Sequence, residues 1–213
     1  MEILGKLLGT PARVKIMRLF LLNPVDGFES SDIVVRSKIS SSAARSELAL
    51  LASIGFIKKK AFTKEVMIGR KGSKKAKSKR VSGWMLNSNF RYLVNMRELL
   101  IGADFLKKED LVNRFKGTGR IKLLVTAGIF TRDPESRVDI LLVGDNLRRS
   151  AIEQNIKALQ AEIGKELTYA IFETSDFIYR VNMYDKLVRD ILDFPHEKLI
   201  ETPGLSTQAL KKI

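Results

Sequence analysis

The chain has 213 residues and no cysteine, which excludes disulfides and thiolate metal sites, and no run in it nears the length of a membrane span. Its formal net charge of +14 is one-sided: residues 1–119 hold 24 Lys/Arg against 10 Asp/Glu, while residues 120–213 hold 14 of each. A charge kept only for solubility would be spread evenly, so the excess points to a polyanionic partner for the first part. The length suits two small domains, each with its own core. The opening MEILGKLLGTPARVK has no secretory leader pattern, so a soluble cytoplasmic protein without membrane contact is expected.

In chain order, Thr10-Pro11 reads as an N-cap followed by proline at the first helical position, and the helical spacing runs to Asn23-Pro24. Ser30 or Ser31 is expected to cap a short helix over DIVVRSK, and Ser40 or Ser41 a third, ISSSAARSELALLASIG. Gly55 ends that helix, and Leu48, Leu51 and Ile54 form its buried stripe. FIKKKAF follows as a strand, then residues 64–69 and 81–86 as the arms of a hairpin.

Three helices and a hairpin predict a winged helix-turn-helix. The stretch TPARVKIMRLFLLNP…DIVVRSKISSSAARSELALLASIGFIKKK resembles the arsenical-resistance-type (ArsR-like) bacterial repressors over about residues 5–87. The resemblance implies a DNA-binding regulator. The Cys/His metal ligands of that family are missing here, so neither a metal nor a cofactor is expected.

In such a fold the N-terminal residues of the third helix reach base edges and its amides meet phosphate. Ser41, Ser42, Arg45 and Ser46 occupy that position, with Arg45 able to pair with guanine. The stretch RKGSKKAKSKR, residues 70–80, has seven basic residues in eleven and no acid. It reads as a loop that orders on a phosphate backbone through Arg70, Lys71, Lys74, Lys75, Lys77, Lys79 and Arg80. Lys58, Lys59 and Lys60 can extend the patch, one or two at most, because alternate strand residues face opposite sides.

NSNFRYLVNMRELLIGADFLKKEDLVNRF predicts two helices broken near Gly102-Ala103, with apolar positions at Leu93, Met96, Leu100, Leu106, Leu111 and Phe115, before a KGTG linker. Helices here pair subunits or pack on their own domain, and a homodimer is the expectation. RIKLLVTAGIF, SRVDILLVGD and ELTYAIFE then read as strands. The helix between the last two turns Ile152, Ile156, Leu159 and Ile163 inward, and YRVNMYDKLVRDILDF is a final helix.

AGIF…ESRVDILLVGD…IEQNIKALQAEIGKELTYAIFETSDFIYRV resembles the minimal nucleotidyltransferase fold over about residues 120–200. Active members of that fold carry Gly-Ser in a loop and Asp-x-Asp on a strand, so that two carboxylates hold Mg²⁺ on a triphosphate. Here Gly128 is kept, Ile129 stands where serine would be, Arg137 replaces the first aspartate, and Asp139 remains. Glu173 is the only candidate for a third carboxylate, and Arg137 is expected to neutralise Asp139 in place of metal. The catalytic site therefore reads as dismantled. What remains for the domain is dimerisation or protein docking, or binding of a nucleotide or other phosphate effector through Gly128, Arg137 and Asp139. His196 has no partner at metal spacing and reads as a surface residue.

The expected architecture is a two-domain α+β and α/β protein: a winged helix-turn-helix over 1–88, a helical connector over 89–119 and a small nucleotidyltransferase-like domain over 120–213. The expected function is sequence-specific regulation of transcription on double-stranded DNA. An active nucleotidyltransferase holding a nucleic-acid or protein substrate is the alternative, and an RNA-binding adaptor comes third.

Overall fold

The computed structural model describes residues 2–68, 75–102, 107–133 and 135–205. The side chains of Glu2 and of residues 66–68, 75 and 76 are outside that description, as are Arg70, Lys71, Lys74 and Leu106 entirely. The chain is a mixed α and β protein with two small sheets among the described residues. No described helix is long and apolar enough to cross a membrane. Backbone contacts divide the chain into two compact units: Met1–Phe105 with Ala158–Lys165, and Leu106–Lys157 with Glu166–Ile213.

The first unit begins with helices α1 (Glu2–Leu8) and α2 (Pro11–Leu22), the former not foreseen from the sequence. Thr10 caps α2 as expected, accepting the amide of Arg13 at 3.0 Å. α3 (Ser30–Ser37) starts on Glu29 rather than on Ser30 or Ser31. Glu29 and Asp32 close a reciprocal capping box, so the serines fall inside the first turn. Lys38, left-handed at φ 47°, turns the chain sharply, and Ser40 caps α4 (Ser41–Ser53) by accepting the Ala43 amide. Leu48 and Leu51 are buried on α4, but Ile54 is exposed because it is the C-cap residue, where the chain leaves the helix for Gly55 at φ +75°.

β1 (Ile57–Ile68) and β2 (Lys75–Leu86) form one antiparallel hairpin paired from Ile57↔Leu86 to Ile68↔Lys75. Residues 75–80, expected as a loop, are thus strand: ladder bonds need no apolar side chain, so composition alone misjudged them. Phe28 bridges to Trp84 beside β2, with amide–carbonyl distances of 2.9 and 2.8 Å. The core gathers Val14, Ile16, Phe20, Ile33, Leu51 and Phe56, and α5 (Leu93–Ile101) adds Leu100.

Arg18 is buried inside this unit. Its guanidinium donates to the carbonyls of Leu100 (2.9 Å) and Glu162 (3.1 Å). Burial pushes its pKa down and the nearby Glu162 opposes that shift. Gly164 sits at φ +89°, and a Cβ there would stand 2.5 Å from the Leu19 amide nitrogen, so only glycine fits.

The second unit holds α6 (Lys108–Phe115) and a four-stranded sheet. β3 (Arg120–Thr126) lies antiparallel to β4 (Ile140–Asp145), and α7 (Arg149–Ile163) crosses to the parallel β5 (Tyr169–Glu173). The four inward positions expected on α7 are all buried. β4 starts at Ile140, later than the sequence suggests, and the AGIF segment is a short 3₁₀ turn over Gly128–Phe130 rather than strand. The single final helix expected over 179–194 is two, α8 (Thr174–Asn182) and α9 (Lys186–Asp193). Tyr184 at φ 53° breaks the run, and Asp185 caps α9 by accepting the amides of Leu187 and Val188. β6 (Glu197–Glu201), not foreseen as a strand, closes the sheet edge against β3.

The amide of Val188, helped by Arg180, holds the Asp185 carboxyl below its usual range. A depressed folded value stabilises the fold above the unfolded carboxylate pKa of about 4, and that contribution is lost as pH falls through the folded value. Thermal melts of the wild type and Asp185→Asn should therefore differ most near neutral pH and converge as pH drops below about 4. A gap that stays constant down to acid would contradict the charged cap.

Candidate nucleic-acid interface

The exposed surface of α4 is fixed by what α4 buries. Ala44, Glu47, Leu48 and Leu51 face inward. The Glu47 carboxylate, nearly inaccessible, accepts the Thr10 hydroxyl and the Arg13 Nε–H, both at 2.7 Å. Helical periodicity then leaves Ser41, Ser42, Arg45 and Ser46 exposed, as the sequence predicts. They are split into two edges. Ser41 and Arg45, with Ala49, line an open groove of about 750 Å³ between α3, α4 and the hairpin; Ser42 and Ser46 do not.

The hairpin sorts the basic residues of the wing between its faces. Cross-strand partners share a face, so the register puts Lys59, Trp84 and Arg80 on one side and Lys58, Lys60, Lys64, Lys77 and Lys79 on the other. Lys59 and Trp84 line the same groove as Arg45. The Lys59 ammonium lies 5.3 Å from the centre of the Trp84 ring, and Trp84 Nε1 donates to the Ser30 hydroxyl at 3.3 Å. Lys75 is the first residue of β2.

Charge counting overstates what this surface offers. Lys64 is held by Asp32 at 2.7 Å and Glu29 at 3.2 Å, the two acids of the α3 capping box. The hydrogen bond that Lys64 donates to Asp32 raises its pKa, so it stays protonated but neutralised in place. Lys77, Lys79 and Arg80 are exposed. Sequence reasoning missed Trp84 and the Glu29–Asp32–Lys64 cluster. A Glu three residues before an Asp ahead of a helix was the one available signal for the cluster.

In the second unit the structure brings Gly128 and Asp139 together and sends Arg137 elsewhere. Asp139 Oδ1 accepts the Ile129 amide at 2.9 Å and Oδ2 accepts the Thr168 amide at 2.8 Å. Both oxygens are used to join the 128–130 turn to the start of β5. Gly128, buried at φ +56°, is required because a Cβ would stand 2.3 Å from Asp139 Oδ1. The glycine therefore answers to the carboxylate, and the loop amide expected for phosphate is already taken. Arg137 forms its ion pair with Asp190 on α9, not with Asp139. Arg137 and Asp139 both precede β4, so strand alternation does not put their side chains on one face.

Glu173 is also far from Asp139. Asp139 lies beside Thr168, and Glu173 beside Gly144, at opposite ends of the parallel pair. Five residues along a strand is about 16 Å, whereas paired catalytic metals sit about 4 Å apart. Glu173 instead accepts the Leu147 amide at 3.3 Å. Among the described residues no group of three His, Asp or Glu side chains is placed to hold a metal ion. His196 is half-buried, its Nδ1 2.9 Å from the Phe194 carbonyl oxygen.

Comparison of the chain with protein-family models, with curated proteins and with solved structures finds no match.

Asp139→Ala should lower the stability of the protein by about 2 kcal/mol, because two amides lose their acceptor, and Asp139→Asn should lose less. Thermal melts with EDTA and with Mg²⁺ should superimpose for both variants and for the wild type. Stabilisation by Asp139→Ala, or a Mg²⁺-dependent shift lost in it, would assign the carboxylate to metal instead.

Proposed function

We propose that this chain is a sequence-specific DNA-binding regulator of transcription. In this reading the first unit is a winged helix-turn-helix, with α3 and α4 as the helix pair and β1–β2 as the wing. The observation that carries it is the exposed edge of α4: Arg45 and two serines stand at the first turns of a helix that begins directly after a sharp turn. Arg45 has no ion-pair partner among the described residues. Short side chains beside a single long cation suit a helix lying in a major groove, with Arg45 reading a base and the Ser41 and Ser42 amides near phosphate. Exposed Lys77, Lys79 and Arg80 supply phosphate contacts from the wing.

The second unit serves, on this proposal, as a nucleotidyltransferase-like scaffold without transferase chemistry, used for pairing or docking. Support comes from Asp139, whose two oxygens are committed to backbone amides, and from Arg137, which is committed to Asp190. A homodimer fits the exposed Val94 and Leu99 on α5. A cytoplasmic location belongs to the same reading.

Three variants of the full chain separate the roles on labelled duplexes over a salt series. Arg45→Ala should lose about 1–3 kcal/mol on a preferred sequence and little on random duplex. Lys77→Ala with Lys79→Ala should weaken binding to every duplex and reduce the salt slope by roughly one unit for each phosphate no longer neutralised. Lys64→Ala should leave the slope unchanged, because that lysine is already neutralised. Duplex binding that ignores salt, or no duplex binding by the wild type, would refute the proposal.

A further inference from the structure

The groove between α3, α4 and the hairpin is more apolar than contact with a phosphate backbone needs. Val34, Val35, Ala44, Leu48 and Ala49 line it, closed on one side by Trp84. The Trp84 indole is fixed there by its bond to Ser30 and by the Phe28 bridge on its backbone. Polar groups at the rim are few, and the charged ones have one sign: Arg45 and Lys59 line the groove and no described acid does.

That imbalance is local. Around the same helices Arg13 is paired with Glu47 and Lys64 with Asp32 and Glu29. Arg45 has no acidic partner among the described residues, and Lys59 has only the Trp84 ring. A concave apolar surface with a few convergent polar groups is the usual form of a small-molecule site, and about 750 Å³ is within the range of such sites. Two cations without acids at its edge select a negative charge, and an indole wall with aliphatic packing selects a flat ring.

The geometry points to this groove as a binding site for a small aromatic carboxylate, seated with its ring among Trp84, Val34 and Leu48 and its carboxylate toward Arg45 and Lys59. Ser41 and Arg45 belong both to this groove and to the face assigned to DNA. Ligand and duplex therefore exclude one another, which makes the site an effector site that releases DNA by direct competition. The exclusion rests on the DNA-binding reading; the groove itself does not.

Trp84 is the single tryptophan of the chain, so its emission reports the groove alone. The test titrates the full-length protein with 4-iodobenzoate, whose heavy atom quenches an indole that it touches. Saturable quenching is expected. It should weaken by roughly tenfold or more in Arg45→Gln/Lys59→Gln and with the neutral 4-iodobenzyl alcohol, since each removes one side of a charge-assisted hydrogen bond. Ala49→Phe, at an exposed helical position, should fill the groove and abolish quenching while circular dichroism stays unchanged. Quenching that never saturates, or that is equal for the acid, the alcohol and the double variant, overturns the site.

A second arm measures a labelled duplex with increasing 4-iodobenzoate, and competitive displacement is expected. Simultaneous binding of both overturns the effector role. If no duplex binds at all, the regulator reading falls while the quenching result still decides the groove. If duplex binds but nothing quenches, the groove proposal falls by itself.

Discussion

Glu47 carries a charge on the inner face of α4, where it is almost fully removed from water. A buried carboxylate is tolerated only when its lone pairs are met, and here Thr10 and Arg13 at the start of α2 meet them. Thr10 also caps α2, so one residue sets both the beginning of α2 and the rotation of α4. Turning α4 about its axis would strand the charge. The exposed edges of the helix, and with them Arg45, follow from that pairing. The groove beside Trp84 exists because Ala44 and Leu48, on the adjoining face, are held down with Glu47.

The same logic of pairing sorts the cations of the molecule. Thirty-eight Lys and Arg give a strongly basic chain, but their use depends on acids brought near by folding. Lys64 is consumed by the α3 capping box, Arg137 by Asp190, and Lys122 by Asp145 at 2.8 Å. Lys122 also holds the Asp145 carboxyl below its ordinary pKa. Arg45 and Lys59 are left without an acidic partner among the described residues, beside Trp84, and the exposed Lys77, Lys79 and Arg80 extend the positive surface along the hairpin. Surface pairs add little stability, and their consequence here is to restrict where positive potential remains.

In the second unit a carboxylate that reads as catalytic is used as a structural tie. Asp139 joins a tight turn to the first residues of β5, and Gly128 leaves the room it needs. Local geometry by itself accounts for the pairing of Gly128 with Asp139, which is separate from any chemistry such residues carry in other proteins.

The sequence by itself determined the helix start at Thr10, narrowed that of α4 to Ser40 or Ser41, and set the stop at Gly55, the inward stripe of α7 and the exposure of Arg45. These depend on neighbours within a turn or two, where side-chain size and hydrogen-bonding type act directly. It missed the cap on Glu29, since glutamate caps rarely and here needs Asp32 in return. It also suggested a loop over residues 75–80, because a ladder of backbone bonds holds lysines as well as valines. Only the tertiary structure decided the partners of Lys64, Arg137 and Glu47, and placed Trp84 opposite Arg45. Those pairs join residues 32 to 53 positions apart, and contact over such distances is set by how helices and sheets pack, which no local pattern encodes.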